Sequence, residues 1–367
     1  MKRVKVAELT PGMVTAEDVY NYNDQLVLPK GLELTEQSIQ RLETFAIMSI
    51  RIDDGKAVEM APEVPESQPA VPFDETPYSE RVKASTEFKE FKAKFEENLG
   101  DFKENMNDII QKGTPINVDS VLKDTLAMIH TGNGRVNIFD MLQNMRQYDD
   151  LTYAHCLNVA LICNVFAGWL HMPQNEIELA TLCGVFHDIG KLSIPDDIVK
   201  KPGKLTDEEF KLIKNHTVEG FRILQNQDIN DHIKNVALMH HERCDGSGYP
   251  LGFTSNQIDK YAKIVSIADV YDAMTASRVY RGPLCPFKVI ETFEQEGLQR
   301  YDAEYILTFL ENVVMTYMGN TVRLSDGREG KVVFINKNNL SKPMLESKNG
   351  QFIDLAKEKG ISIEMIL

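Results

Sequence analysis

Five of the eight histidines in this chain, His155, His187, His216, His240 and His241, fall in one central stretch together with Asp188 and Asp269. Imidazole and carboxylate are the donors that borderline and hard divalent cations select. A His-Asp pair alone means little. Here it is joined by an adjacent His-His pair, a lone helical histidine and a downstream aspartate, and that set points to a centre holding more than one metal. Two cations about 3.5–4 Å apart clamp a phosphoryl group between an attacking and a leaving oxygen, and a water they share becomes a hydroxide near neutral pH. The chemistry expected is metal-dependent phosphoester hydrolysis.

Each of these ligands sits in its own mostly apolar stretch with a helical pattern. His155 lies near the start of AHCLNVALICNVFAGWL, and His187-Asp188 close ELATLCGVFHDIGK, where Gly190 is expected to break the helix. His216 lies within EEFKLIKNHTVEGFRIL, His240-His241 end NVALMHHER, and Asp269 falls in AKIVSIADVYDAMTASRVY. Helices packed side by side can aim such residues into one bundle cavity. Successive helical residues point about 100° apart, so His240 and His241 can serve two metals, or one metal and the substrate. Asp188 is the natural bridge, since a carboxylate has two oxygens to share. Lys191 follows it by three residues and is expected to neutralise phosphate. Arg278 and Arg281 offer planar forks for the same purpose. In the loop HHERCDGSGYPLG, Gly246, Gly248 and Gly252 permit close backbone approach, Pro250 stiffens the turn and Tyr249 offers a stacking face. His130, His171 and His232 are read as ordinary core or surface groups.

The chain of 367 residues is long enough for two or three domains. Residues 1–55 read as a small α+β module with a packing or dimerisation role. Residues 56–79 are a Pro- and Glu-rich linker, and 80–148 a helical connector. In the connector, Phe88, Phe91, Phe95 and Phe102 repeat at helical spacing, as a core stripe or a homodimer contact would. Residues 149–316 are helix after helix, and 317–367 a β-rich appendage with a hairpin turn at Asp326-Gly327. The fold class expected is therefore mainly α. A net charge of −15 argues against binding a nucleic-acid polymer, and no run is apolar enough to span a membrane. Five cysteines without a CxxC pair suggest reduced thiols and a cytoplasmic protein.

HDIGK at 187–191, IPDDIVKKPGKLTDEEF at 194–210, His216, HHERCDGSGYP at 240–250 and IADVYDAMTASRVYRGP at 267–283 together resemble the HD-GYP family of bacterial cyclic-dinucleotide phosphodiesterases, a branch of the HD superfamily. The resemblance covers roughly 149–316 and implies an all-helical HD-type bundle that hydrolyses cyclic di-GMP to a linear dinucleotide, in some members on to GMP. It implies metal ligation, usually of iron or manganese, by His155, His187, Asp188, His216, His240, His241 and Asp269, with a phosphate contact at Lys191. It further implies substrate contacts at Asp149, Tyr249, Asp272, Arg278 and Arg281, and a signature at Gly248-Tyr249-Pro250. Leu151 stands where some members carry a glutamate that helps hold a third metal, so two metals are expected. Two rival readings keep the family but change the role: hydrolysis of cyclic GMP–AMP, or a catalytically idle cyclic-dinucleotide sensor.

Overall fold

The structure, a computed structural model, describes residues 2–6, 9–20, 26–35, 38–39, 42, 47, 49–53, 78–129, 137–145, 151–201, 203–276 and 282–367. The chain divides into two compact units, 1–74 and 75–367. In the first, β1 (Lys2–Lys5) pairs antiparallel with β4 (Ser49–Ile52), and β2 (Val19–Tyr20) with β3 (Leu26–Leu28). Val27, Leu28, Leu34, Leu42 and Ile50 form its buried interior. The expected linker lies almost wholly outside the described residues.

The second unit begins with α1 (Tyr78–Ala84) and the long α2 (Thr86–Lys112). The Ser85 hydroxyl caps α2 by accepting from the Phe88 N–H at 3.1 Å, and Gly113 ends it at φ 65°, a left-handed conformation that suits glycine. Phe88, Phe91, Phe95, Leu99, Phe102, Met106 and Ile109 are all buried within the chain. The stripe is therefore core, and it leaves no apolar face on this helix for the homodimer contact that was the other reading.

Then follow α3 (Val118–Ile129), α4 (Ile138–Asn144), α5 (Leu151–Trp169) and α6 (Gln174–Phe186). A 3-10 turn (Ile189–Ser193) leads to α7 (Asp196–Val199), α8 (Asp207–Lys214), α9 (His216–Leu224), α10 (Asp231–Met239) and α11 (Lys260–Thr275). The helical run closes with α12 (Pro286–Arg300) and α13 (Ala303–Met315). Helices α5, α6 and α11 lack the one-sided apolar stripe of a surface helix, because they form the centre and are packed on several sides. A Cβ on Gly184 would stand 2.7 Å from the Ala160 Cα, so glycine is what lets α6 close onto α5. That approach brings the His155 and His187 rings to 5.2 Å between centroids.

Strands β5 (Thr321–Leu324), β6 (Glu329–Phe334), β7 (Met344–Ser347), β8 (Phe352–Asp354) and β9 (Ile363–Ile366) form an antiparallel sheet in the order β8-β7-β6-β5-β9. Gly327 turns the expected hairpin at φ 86°. The sheet is less an appendage than part of the body. Val322, Leu324, Val332 and Leu345 are fully buried in the same apolar cluster as the helices, and Glu294 of α12 accepts from the Leu340 and Ser341 N–H groups. Among the described residues no helix is long and apolar enough to cross a membrane.

Candidate metal centre

Six elements deliver the expected ligands to one point. His155 comes from the second turn of α5, His187 caps the end of α6, Asp188 precedes the 3-10 turn, and His216 opens α9. His240 and His241 end α10, and Asp269 lies in the middle of α11. The link between the 3-10 turn and α9 is set by Gly190. A Cβ there would fall 1.9 Å from the His216 carbonyl oxygen and 2.4 Å from the Gly220 nitrogen. Gly190 is thus required by backbone packing. Its absent side chain is what allows Asp188 and His216 to meet.

The donors form two groups, each with its atoms within 4.8 Å of one another: His155, His187 and Asp188 in one, and Asp188, His216, His240 and His241 in the other. Asp188 belongs to both. Its Oδ2 lies 3.4 Å from His187 Nε2 and 3.6 Å from His155 Nε2. Its Oδ1 lies 3.2 Å from His216 Nε2 and 3.6 Å from His240 Nε2. Asp269 spans the groups in the same way, with Oδ1 3.0 Å from His155 Nε2 and Oδ2 3.8 Å from His241 Nδ1. Sequence reasoning assigned the bridging geometry to Asp188 alone.

The protons on these rings are fixed by their outer partners. His187 Nδ1 lies 2.7 Å from the Gly184 carbonyl, His216 Nδ1 2.6 Å from that of Ile213, and His240 Nδ1 3.0 Å from that of Val236. A carbonyl only accepts, so each Nδ1 carries a proton and each ring turns its Nε2 inward. The His216 and His240 Nε2 atoms stand 3.2 Å apart, two acceptors facing each other. His187 Nε2 and Asp188 Oδ1 are buried without a hydrogen-bond partner. Buried, unanswered acceptors are costly. A cation answers all of them at once, so these residues fit a metal centre with histidine orientation supplied by the outer hydrogen bonds.

Electrostatics agree. Burial keeps the His216 pKa down at about 3, and holds those of His240 and His241 low as well, so all three are neutral ligands at neutral pH. Burial opposes ionisation of Asp188, but the Lys191 ammonium outweighs it and holds its carboxyl well below the usual range. Burial similarly opposes the charge on Asp269, and the hydrogen bond with His155 overcomes it. His155 differs: burial would lower its pKa, yet hydrogen bonds to Asp269 and Asp272 raise it to about 9.

Lys191 lies where the sequence suggested, its ammonium donating to Asp188 Oδ2. Tyr249 stacks on the His241 ring at 4.7 Å, with the Lys214 ammonium 4.9 Å from its own ring centroid. Gly248 has a structural reason to be glycine: a Cβ would come within 2.4 Å of the Glu242 Cα and the Arg243 nitrogen. Asp272 is buried, 2.7 Å from His155 Nδ1 and within reach of the Asn158 amide at 3.1 Å. Asp149, Arg278 and Arg281 lie outside the described residues, as does the side chain of Leu151. Sequence reasoning missed Glu242. Buried directly behind the His-His pair, it accepts from the Leu251 N–H at 2.7 Å and the Phe253 N–H at 2.9 Å, which closes the glycine-rich loop. A glutamate adjoining two ligands was the available signal.

A helical scaffold with a His-Asp pair at the end of one helix and ligands from its neighbours is the architecture of an HD domain, and the HD-domain family model matches residues 138–305. With Gly248-Tyr249-Pro250 closing over His241, this stretch resembles the HD-GYP branch of that superfamily. It is similar to the cyclic di-GMP phosphodiesterase PA4108 of Pseudomonas aeruginosa, at 29% identity over 91% of this chain and 81% of that one. A cyclic di-GMP phosphodiesterase of Thermotoga maritima is 36% identical over 47% of this chain and 48% of its own length. The 3'3'-cGAMP-specific phosphodiesterase 1 of Vibrio cholerae is 35% identical over 45% of this chain and 39% of its own. The chain thus spans about half or less of the latter two relatives.

Proposed function

We propose that this protein is a metal-dependent phosphodiesterase that opens cyclic di-GMP to its linear dinucleotide. The observation that carries the reading is the division of Asp188, one oxygen toward His187 and His155 and the other toward His216 and His240, with Lys191 on the same carboxylate. His155, His187 and Asp188 would hold one divalent cation, and Asp188, His216, His240 and His241 the other, with Asp269 spanning the pair. Bound there, such cations supply Lewis acidity and lower the pKa of water. Iron or manganese suits this mixture of imidazole and carboxylate. Lys191 brings positive charge to the phosphate as charge develops on its oxygens. Tyr249, braced on His241, offers a ring face to the substrate. The names of the Pseudomonas and Thermotoga relatives support cyclic di-GMP as substrate. We place the reaction in the cytoplasm, where the five unpaired cysteines would stay reduced.

The test is Asp188→Ala in anaerobically purified, metal-loaded protein. Turnover of cyclic di-GMP should fall at least about a thousand-fold, the scale on which loss of a core electrostatic element acts, and metal content should fall with it. Undiminished turnover would refute the reading. The Vibrio relative favours a second reading, cyclic GMP–AMP as substrate. Comparing kcat/KM for the two cyclic dinucleotides decides between them.

A further inference from the structure

Four of the five histidines of the proposed centre are oriented by an outer hydrogen bond. His187, His216 and His240 each turn Nδ1 to a backbone carbonyl, and His155 turns it to Asp272. His241 differs. Among the described residues no hydrogen bond holds its ring, and Asp269 Oδ2 stands 3.8 Å from its Nδ1, beyond hydrogen-bond range. It is also the most open of the five, with 18% of its side chain exposed against 10% or less for the others. Something other than a hydrogen bond has to fix this ring.

What lies against it is aromatic. Tyr249 stacks on His241 with centroids 4.7 Å apart and planes 29° from parallel. The glycine-rich loop bends back to deliver that ring. The Tyr249 N–H donates to the His241 carbonyl at 3.2 Å, and a Cβ on Gly248 would fall 2.5 Å from the same oxygen. Tyr249 is held in turn by Lys214, the last residue of α8, whose ammonium lies 4.9 Å from its ring centroid and 4.6 Å from that of Phe210. Phe210 and Lys214 are four residues apart and so neighbours on one helix face. Lys214 forms no ion pair with any described residue, and its charge meets these two rings instead. It also stands two residues before His216, whose ring lies 5.1 Å from that of His241. The clamp therefore reaches from the segment of one ligand to the ring of another.

We infer that Tyr249 is a positioning residue for the metal ligand His241, with Lys214 clamping Tyr249, so that a stacked ring does for His241 what hydrogen bonds do for the other four. This rests on the proposed metal centre and gives Tyr249 a role separate from meeting the substrate. The stack fixes the plane of the imidazole, and with it the direction of the ligating lone pair. A ring free to rotate spends part of its time turned away, and apparent metal affinity falls in proportion to the competent fraction.

The experiment strips the full chain of metal and titrates it with Mn²⁺, followed by electron paramagnetic resonance, with the Tm of the metal-free protein measured alongside. Tyr249→Leu keeps bulk and removes the ring, and should weaken Mn²⁺ binding roughly ten-fold, the lower end for loss of an outer partner. Tyr249→Phe keeps the stack and should stay within about two-fold of wild type. Lys214→Met keeps the stem and loses the charge. It should weaken binding about two- to five-fold, the worth of a partly exposed cation–π contact, and Lys214→Arg should restore it. In the Tyr249→Leu background Lys214→Met should add nothing, because its effect passes through the tyrosine. Wild-type Mn²⁺ affinity in Tyr249→Leu overturns the inference, even with a lower Tm, since that is the mark of packing alone. A Lys214→Met loss of the same size with and without Tyr249 also overturns it, as does an equal loss in Tyr249→Phe and Tyr249→Leu. A wild type that takes up no metal defeats the proposed centre and this inference with it. One that binds Mn²⁺ but hydrolyses no cyclic dinucleotide defeats only the activity, and the titrations still decide the role of Tyr249.

Discussion

The Asp272 carboxylate lies 2.7 Å from His155 Nδ1, behind the ring face that turns toward Asp269 and Asp188. Carboxylates in this position hold a ligand histidine in its tautomer and raise its basicity. Asp272→Asn should therefore weaken metal binding about 10- to 100-fold, the range typical of such outer partners. Metal titration checks this, with KM measured at saturating metal. Were Asp272 a substrate contact, KM would rise and metal affinity would stay as it was.

Glu242 is the keystone of the loop that carries Gly248-Tyr249-Pro250. Its two oxygens answer the Leu251 and Phe253 N–H groups, and bonds to a charged acceptor contribute about 1.5–3 kcal/mol each. Glu242→Ala should cost roughly 2–4 kcal/mol of stability and free Tyr249 from its stack on His241. Denaturant unfolding measures the first effect, and a raised KM the second. A variant as stable as wild type with unchanged KM would show that the loop closes without this clamp.

At Gly190 the required space is backbone, not side chain. A methyl group there would meet the His216 carbonyl at 1.9 Å, and neither the 3-10 turn nor α9 can yield without separating Asp188 from His216. Gly190→Ala should lose metal content and activity together and destabilise the fold by about 3 kcal/mol or more, beyond the usual range for overpacking. Metal analysis on the purified variant is the direct check. Full metal occupancy would mean that the two elements can part and still bind.

Removing the metals should lower stability as well as activity. His187 Nε2 and Asp188 Oδ1 have no hydrogen-bond partner, and a ligand that binds only the native state at a hundred times its Kd adds about 2.7 kcal/mol. Chelation should drop Tm by several degrees, with recovery on adding iron or manganese. The burial-lowered pKa values of His216, His240 and His241 leave these rings ready to ligate without first losing a proton at neutral pH. An unchanged Tm after verified metal removal would count against a native-state metal centre.

The candidate His and Asp residues, the helical class and the turns were legible in the chain, because they depend on residue type and short-range spacing. His187-Asp188, the adjacent His240-His241 and the apolar period of α2 each carry their meaning within a few residues. Local rules also located the hairpin at Asp326-Gly327 and the end of α2 at Gly113.

Packing over long separations decided the rest. Asp272 is one turn from Asp269 on α11, and sequence cannot say which of them faces the cavity and which backs onto His155 from α5. Gly190 and Gly248 look like flexible loop glycines, but each is fixed by backbone arriving from elsewhere, His216 for one and residues 241–243 for the other. The aromatic stripe of α2 suited a dimer as well as a core until α3, α5 and the 3-10 turn were seen to cover it. The chain's composition determines which groups can bind metal and phosphate. Only close packing among distant segments determines which donors share Asp188, because hydrogen-bond direction and the exclusion of one methyl group act across space, not along the sequence.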